Sequence, residues 1–212
     1  MKKIALLGSG ELAVDLSNMA KDWNLYEIAG FIDGNKEKGS FVNEYPVLGN
    51  DDDVVDLYND GVFDCIFIGV GYLNFKVREK LYDRFKNVVP FANIISPSAF
   101  IHPTANIGEG ILMCDDVYIC NNAIIEDNVL ITLRSIVNHY NHIKKHSFFS
   151  TRVTTAGHTT IGERCFMGVG VTISDGVTIC DDVWLSPGSV VVKDISTHGH
   201  YLSQVTKLFK ID

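Results

Sequence analysis

From Ile101 to Val191 the chain keeps a six-residue rhythm without a slip. Every sixth residue is Ile101, Ile107, Met113, Ile119, Ile125, Ile131, Val137, Ile143, Phe149, Thr155, Ile161, Met167, Ile173, Ile179, Leu185 and Val191, and all but Thr155 are apolar. Four residues after each comes a second inward set that includes Ala105, Val117, Ala123, Val129, Val153, Val171, Val177 and Val183. An α-helix repeats at about 3.6 residues and a strand at about 2, so a period of six belongs to neither. It fits a chain wound as a triangular prism, with one short strand per hexad and three hexads per coil. Residues eighteen apart then lie above one another at the usual inter-strand spacing of about 4.8 Å. The rhythm predicts about five coils and a wall free of long loops.

The first ninety or so residues read differently. Lys3–Leu7, Glu27–Ile32, Phe63–Ile68 and Val88–Ala92 have strand patterns, and Leu12–Trp23, the stretch after Asp51-Asp52-Asp53, and Asn74–Phe85 have helical spacing. The alternation predicts a small parallel α/β sheet with right-handed crossovers. The predicted organisation is therefore an α/β domain over 1–95, a prism over 96–196 and a capping tail over 197–212. In the tail, Leu202, Val205, Leu208 and Phe209 suggest a last strand or helical turn that covers exposed strand edges.

Composition narrows the function classes. The chain has 212 residues and a formal net charge of −8, which argues against nucleic-acid binding. No apolar run is long enough to span a bilayer, and the reading is of a cytoplasmic protein. The five cysteines show no CxxC spacing and are expected to be reduced.

Two regions carry chemistry. Gly8-Ser9-Gly10 lies between the first strand and the first helix, where glycines allow close backbone approach and the helix start offers N–H groups to an anion. Asp33 ends the second strand and Gly69 the third, so the strand ends converge on one crevice. With only a mononucleotide-sized half present, a nucleoside diphosphate joined to another group fits better than a dinucleotide. Asn74, Lys76 and Arg78 are candidates for further contacts to it.

The second region is Val137-Asn138-His139-Tyr140-Asn141-His142, which puts Asn141 where a small apolar residue belongs. A local break in a rule kept elsewhere marks function or strain. His139 is the first candidate for a general base, because imidazole accepts a proton near neutral pH. His158 is the second. His142 and His146 are expected at the surface or at a subunit interface. No two histidines are eighteen apart, so no metal is expected.

Taken with Phe31-Ile32-Asp33, Ser135-Ile136-Val137-Asn138-His139, Ile161-Gly162-Glu163-Arg164-Cys165-Phe166-Met167-Gly168 and Gly188-Ser189-Val190-Val191-Val192-Lys193-Asp194, these features resemble the sugar O- and N-acyltransferases of the sialic-acid O-acetyltransferase family. The resemblance implies a Rossmann-like domain followed by a left-handed parallel β-helix, assembled as a homotrimer. It implies transfer from acetyl-CoA to a nucleotide-linked 4-amino-4,6-dideoxy sugar. His139 would be the base, with Tyr140 in the place where the family usually has Glu or Asp. Gly8, Gly10, Asp33 and Gly69 would bind the nucleotide sugar. Acetyl-CoA would lie near Ala156, Gly157 and Pro187, with Phe148 where the family often has a histidine near the thioester. Lys144, Lys145, Arg152, Arg164 and Lys193 are candidates for the CoA phosphates. Sugar O-acetylation and a trimeric scaffold that only binds a nucleotide sugar are the alternatives.

Overall fold

The computed structural model describes residues 1–203, apart from the side chain of residue 72. In the N-terminal domain, β1 (Lys3–Leu7), β2 (Glu27–Ile32), β3 (Phe41–Val42), β4 (Tyr45–Gly49) and β5 (Cys65–Ile68) form one sheet in the order β3-β4-β2-β1-β5. All pairs are parallel except β3–β4. The helices are α1 (Glu11–Asp22), α2 (Val54–Asn59) and α3 (Phe75–Phe85).

Successive residues of β1 explain its unbroken apolar run. Ile4 and Leu6 face α1, whereas Ala5 and Leu7 face α2 and α3, so both sheet faces are buried. The hairpin Phe41–Gly49 adds two strands, β3 and β4, that the sequence pattern does not predict. The fourth strand expected at Val88–Ala92 is reduced to one parallel bridge between Ile66 and Phe91.

The prism is as the hexads require. Strands of two or three residues stack in parallel, each pairing with the strand eighteen residues on except the last pair of the third face, which is sixteen apart, and build three faces. The first face holds Phe100–Ile101, Tyr118–Ile119, Ile136–Val137, Thr154–Thr155, Thr172–Ile173 and Val190–Val191. The second runs from Asn106–Ile107 to Thr178–Ile179. The third begins at Ile94–Ile95 and ends with Gly199–Tyr201. That last strand pairs with Val183–Leu185 and extends the third face by one rung. Val205, Leu208 and Phe209 lie outside the described residues.

The rhythmic residues fill the interior: Met113, Ile131, Val137, Ile143, Phe149 and Ile161 are essentially inaccessible. Each such side chain contributes about 1.5–3 kcal/mol by leaving water. The sharp corners have a backbone signature. Every sixth residue from Gly110 to Gly188 has positive φ, including Asn122, Asn128, Tyr140, His146 and His158. Gly, Asn and Asp accept this left-handed conformation readily, and bulkier residues such as Tyr140 and Arg152 sit there at a cost.

The N-terminal domain rests on the third face. Leu112, Leu130, Phe148 and Phe166 point outward from that face into one core with Ala13, Leu16 and Phe31. A buried guanidinium joins the two units. Arg78 on α3 donates from Nη1 to Ile68 O (2.9 Å) and Val70 O (2.8 Å), and from Nη2 to Asn128 Oδ1 (2.5 Å) on a prism corner. Asn128 Nδ2 in turn meets His146 Nδ1 at 2.9 Å. Burial lowers the pKa of Arg78 to about 9.

Candidate functional site: a strand-end crevice and a histidine edge

The crevice forms where β1, β2 and β5 end. Its volume is about 630 Å³, and Gly8, Ser9, Gly10, Glu11, Asp15, Asp33, Gly69 and Asn74 are among the residues that line it. Gly8 has φ +94°, so the chain turns there as few other residues allow. At Gly69 a Cβ would stand 2.5 Å from that of Ala13, so only glycine lets β5 approach α1 this closely. No side chain caps α1, and the residues at its start, Gly10, Glu11 and Leu12, line the crevice.

Asp33 holds the turn. Its Oδ2 accepts from Ser9 Oγ (2.6 Å) and Ser9 N (3.0 Å), and its Oδ1 accepts from Asn35 N (2.9 Å). Partial burial opposes its charge, but these hydrogen bonds outweigh burial and hold the carboxyl below its ordinary range. All four crevice residues expected from the sequence are thus together. Of the neighbours suggested after β5, Asn74 lines the crevice. Arg78 does not: it is 1% exposed and spent on the domain seam.

His139 lies at the edge between the first and second faces. Turns of successive coils stack along this edge, with 121–122 below it and 157–158 and 175–176 above. His139 O accepts from His158 N at 3.0 Å, and Tyr140 N donates to Asn121 O at 3.1 Å. The rings cluster: Tyr140 stacks on His158 at 5.0 Å, and His139 meets His158 edge-on at 5.3 Å. The decisive contact is with Gly157. A Cβ there would stand 2.3 Å from His139 Cε1 and 2.8 Å from His139 Nε2. Its φ is not of the left-handed kind, so close approach alone requires the glycine.

Beneath the edge the interior turns polar. Asn138 Nδ2 donates to Thr155 O (2.8 Å), and Asn141 Nδ2 donates to Thr155 Oγ1 (2.5 Å). Asn141 Oδ1 accepts from Thr159 N (2.7 Å). Ser135 and Ser147 accept in the same way from Val153 N and Cys165 N, each eighteen residues on. Asn141 and Thr155 are therefore ties that fix the turns carrying His139 and Gly157. The sequence showed both as exceptions without showing that they are partners.

The residues expected to hold acetyl-CoA fall in three places. Ala156 and Gly157 share the edge with His139. Pro187 is in a turn on the edge between the third and first faces. Phe148 projects from the third face, 5% exposed, with its ring stacked on Phe166 at 5.4 Å. In a triangular wall that face lies opposite the His139 edge.

Three charge or histidine expectations are corrected. His146 is not a surface residue: it is 4% exposed, packed edge-on against Tyr82 at 5.5 Å. Burial, aided by the nearby Arg78 charge, lowers its pKa to about 4. Arg164 is not free for a phosphate, because Glu79, Glu163 and Asp182 engage it at 2.9, 2.8 and 2.8 Å. Lys145 pairs with Asp127 at 3.0 Å. Among the described residues no group of His, Cys, Asp or Glu is placed to hold a metal ion, and no helix is long and apolar enough to cross a membrane.

Comparison with known proteins agrees with this architecture. Residues 3–85 match the PglD N-terminal domain, and residues 158–193 match the hexapeptide repeat of succinyl-transferase. A crystal structure of GDP-perosamine N-acetyl transferase from Caulobacter crescentus, a mutant with one histidine changed to alanine, holds CoA and GDP-perosamine. It is 25% identical, with 96% of this chain and 94% of that one covered, at a TM-score of 0.87. The acetyltransferase domain of PglB from Neisseria gonorrhoeae, in complex with acetyl coenzyme A, is 25% identical over 95% of this chain and 96% of that one, at a TM-score of 0.84. Among curated sequences, a UDP-3-O-acylglucosamine N-acyltransferase of Bordetella avium is 38% identical over 66 residues. That match spans 31% of this chain and only 18% of the relative's length. The chain thus carries a region that matches the PglD N-terminal domain ahead of one that matches a hexapeptide repeat, and its whole fold is similar to that of these sugar N-acetyltransferases.

Proposed function

We propose that this protein transfers an acetyl group from acetyl-CoA to the amine of a nucleotide-linked sugar, of the 4-amino-4,6-dideoxy type, with His139 as general base. The observation that carries the reading is the imidazole edge of His139 lying over Gly157 on an outer edge of the prism, in a chain whose fold matches a perosamine N-acetyltransferase holding CoA and its nucleotide sugar. The amine nitrogen attacks the thioester carbonyl carbon and gives its proton to Nε2 of His139. The carbon–sulfur bond breaks, and the proton passes on to the departing thiolate. The Gly157 N–H, which has no acceptor among the described residues, would stabilise the oxyanion. Gly8, Gly10, Asp33 and Gly69 hold the nucleotide sugar in the crevice.

A homotrimer completes the site. The third face is covered by the N-terminal domain, and the second presents Asn106, His142, Thr160 and Thr178 around Ile124. The first face presents Phe100, Tyr118, Ile136 and Val190, all exposed, with Thr154 and Thr172 between the last two and with Phe100 and Tyr118 stacked at 4.4 Å. Such an apolar column suits burial against other copies. With the first faces turned to a threefold axis, the His139 edge of one chain borders the Pro187 edge of the next. Ala156, Gly157 and the neighbour's Pro187 turn then flank one cleft for acetyl-CoA, and the neighbour's N-terminal domain stands on the far side of it.

Incubation with acetyl-CoA and a panel of nucleotide amino sugars, read by mass spectrometry, tests the activity. His139→Ala should lower kcat by about 10²–10⁴, and near-normal turnover in that variant would remove the assignment. Tyr140, which brings no carboxylate beside the base, favours the scaffold alternative. Calorimetry showing tight nucleotide-sugar binding with no CoA binding would support that alternative over catalysis.

A further inference from the structure

Gly157 leaves a notch that two other side chains share. His139, Gly157 and Asp175 are each eighteen residues apart and so occupy successive coils of one edge. The point where a Cβ on Gly157 would stand is 2.8 Å from His139 Nε2 and 2.9 Å from Asp175 Oδ1. The two atoms are therefore no further apart than the sum of those distances. The imidazole reaches into the notch from one side, and the carboxylate, two coils away, reaches in from the other. The other titratable groups facing His139 are Tyr140, with ring centres 5.8 Å apart, and His158, at 5.3 Å. The turn below contributes Asn121 and Asn122, which carry no charge. Asp175 is thus the anion that faces this imidazole.

We propose that Asp175 is a positioning residue for His139, a carboxylate that crosses the Gly157 notch to stabilise the imidazolium formed during catalysis. This inference rests on the acetyl-transfer reading above. The proton moves from the amine to Nε2 and then to the CoA sulfur, and the Asp175 carboxylate takes no part in the transfer. At this range opposite unit charges shift a proton equilibrium about threefold in water-like surroundings, and more once a ligand excludes water. Asp175 would thereby supply, from thirty-six residues downstream, the charge that Tyr140 does not supply from the adjacent position.

The test uses the full-length protein. Asp175 is exposed in a corner turn, so Asp175→Asn should fold normally. In that variant the acid limb of the kcat/KM profile should move to lower pH, with kcat down about threefold to tenfold, and Asp175→Glu should restore both. In the resting protein, the His139 ring resonances should also titrate at lower pH in Asp175→Asn, a readout that needs no acceptor sugar. If the resonances and the limb stay where they are, the positioning role is overturned, even when His139→Ala is inactive and the acetyl-transfer reading stands. A fully active His139→Ala overturns that reading instead, whatever the Asp175 variants do.

Discussion

A single methyl group on Gly157 would occupy the place now taken by the His139 ring edge, with only 2.3 Å to Cε1. The ring must then swing away, because the backbone around the notch is fixed by Asn138, Asn141 and Thr159. Gly157→Ala should therefore lower kcat by about 10²-fold while leaving the melting temperature nearly unchanged, since its backbone conformation suits alanine. Kinetics beside a thermal melt would check both halves. A loss of activity that follows only from unfolding would contradict this account. The same residue marks a limit of sequence reading. His139 sits in the hexad that breaks the rule, and the resemblance brings in Gly157 as a neighbour of acetyl-CoA, but that one exists to make room for the other depends on stacking across eighteen residues and on the direction of a side chain. Arg78 and His146 were misplaced for a related reason. Spacing puts a residue on a corner or a helix turn, and only the docking of the second domain decides whether that position is wet.

The corner turns and their interior ties carry the next set of consequences. Asn141→Ala removes the acceptor for the Thr159 N–H and leaves it buried and unpaired, a loss of about 1–3 kcal/mol. Urea unfolding should register that loss, with a drop in turnover at temperatures where the variant is still folded, because the same tie orders the turn bearing Gly157. At the domain seam, His146 binds its proton near pH 4 in the folded chain and near its ordinary 6.5 when unfolded. The unfolded state therefore holds more protons between those values, and stability falls as pH drops from 6.5 towards 4. His146→Asn, which keeps a residue at ease with positive φ, should flatten that slope in melts across the window. The prism elements were legible in the sequence because each hexad repeats one physical demand: an apolar side chain inward and a corner after it. The hairpin Phe41–Gly49 was not. Pro46 within it argues against a strand when read alone, and β4 is held by its pairing with β3 on one side and β2 on the other.

In the whole molecule, three faces have three different fates: one carries a domain, one is mostly polar and one is apolar and bare. The trimer reading assigns the bare face to neighbouring copies. Tyr118→Glu, on the second rung of that face and stacked on Phe100, should yield monomers by light scattering and abolish turnover although each subunit keeps its own crevice and His139. A monomeric variant with full activity would refute the shared cleft. The repeated backbone also sets how such a molecule can diverge. A lone insertion would rotate every later side chain from lumen to solvent, whereas duplicating one entire circuit preserves the pattern. Each whole circuit of eighteen residues gained or lost below the imidazole would slide it along the shaft by about 4.8 Å, a coarse vernier for matching it to ligands of different length.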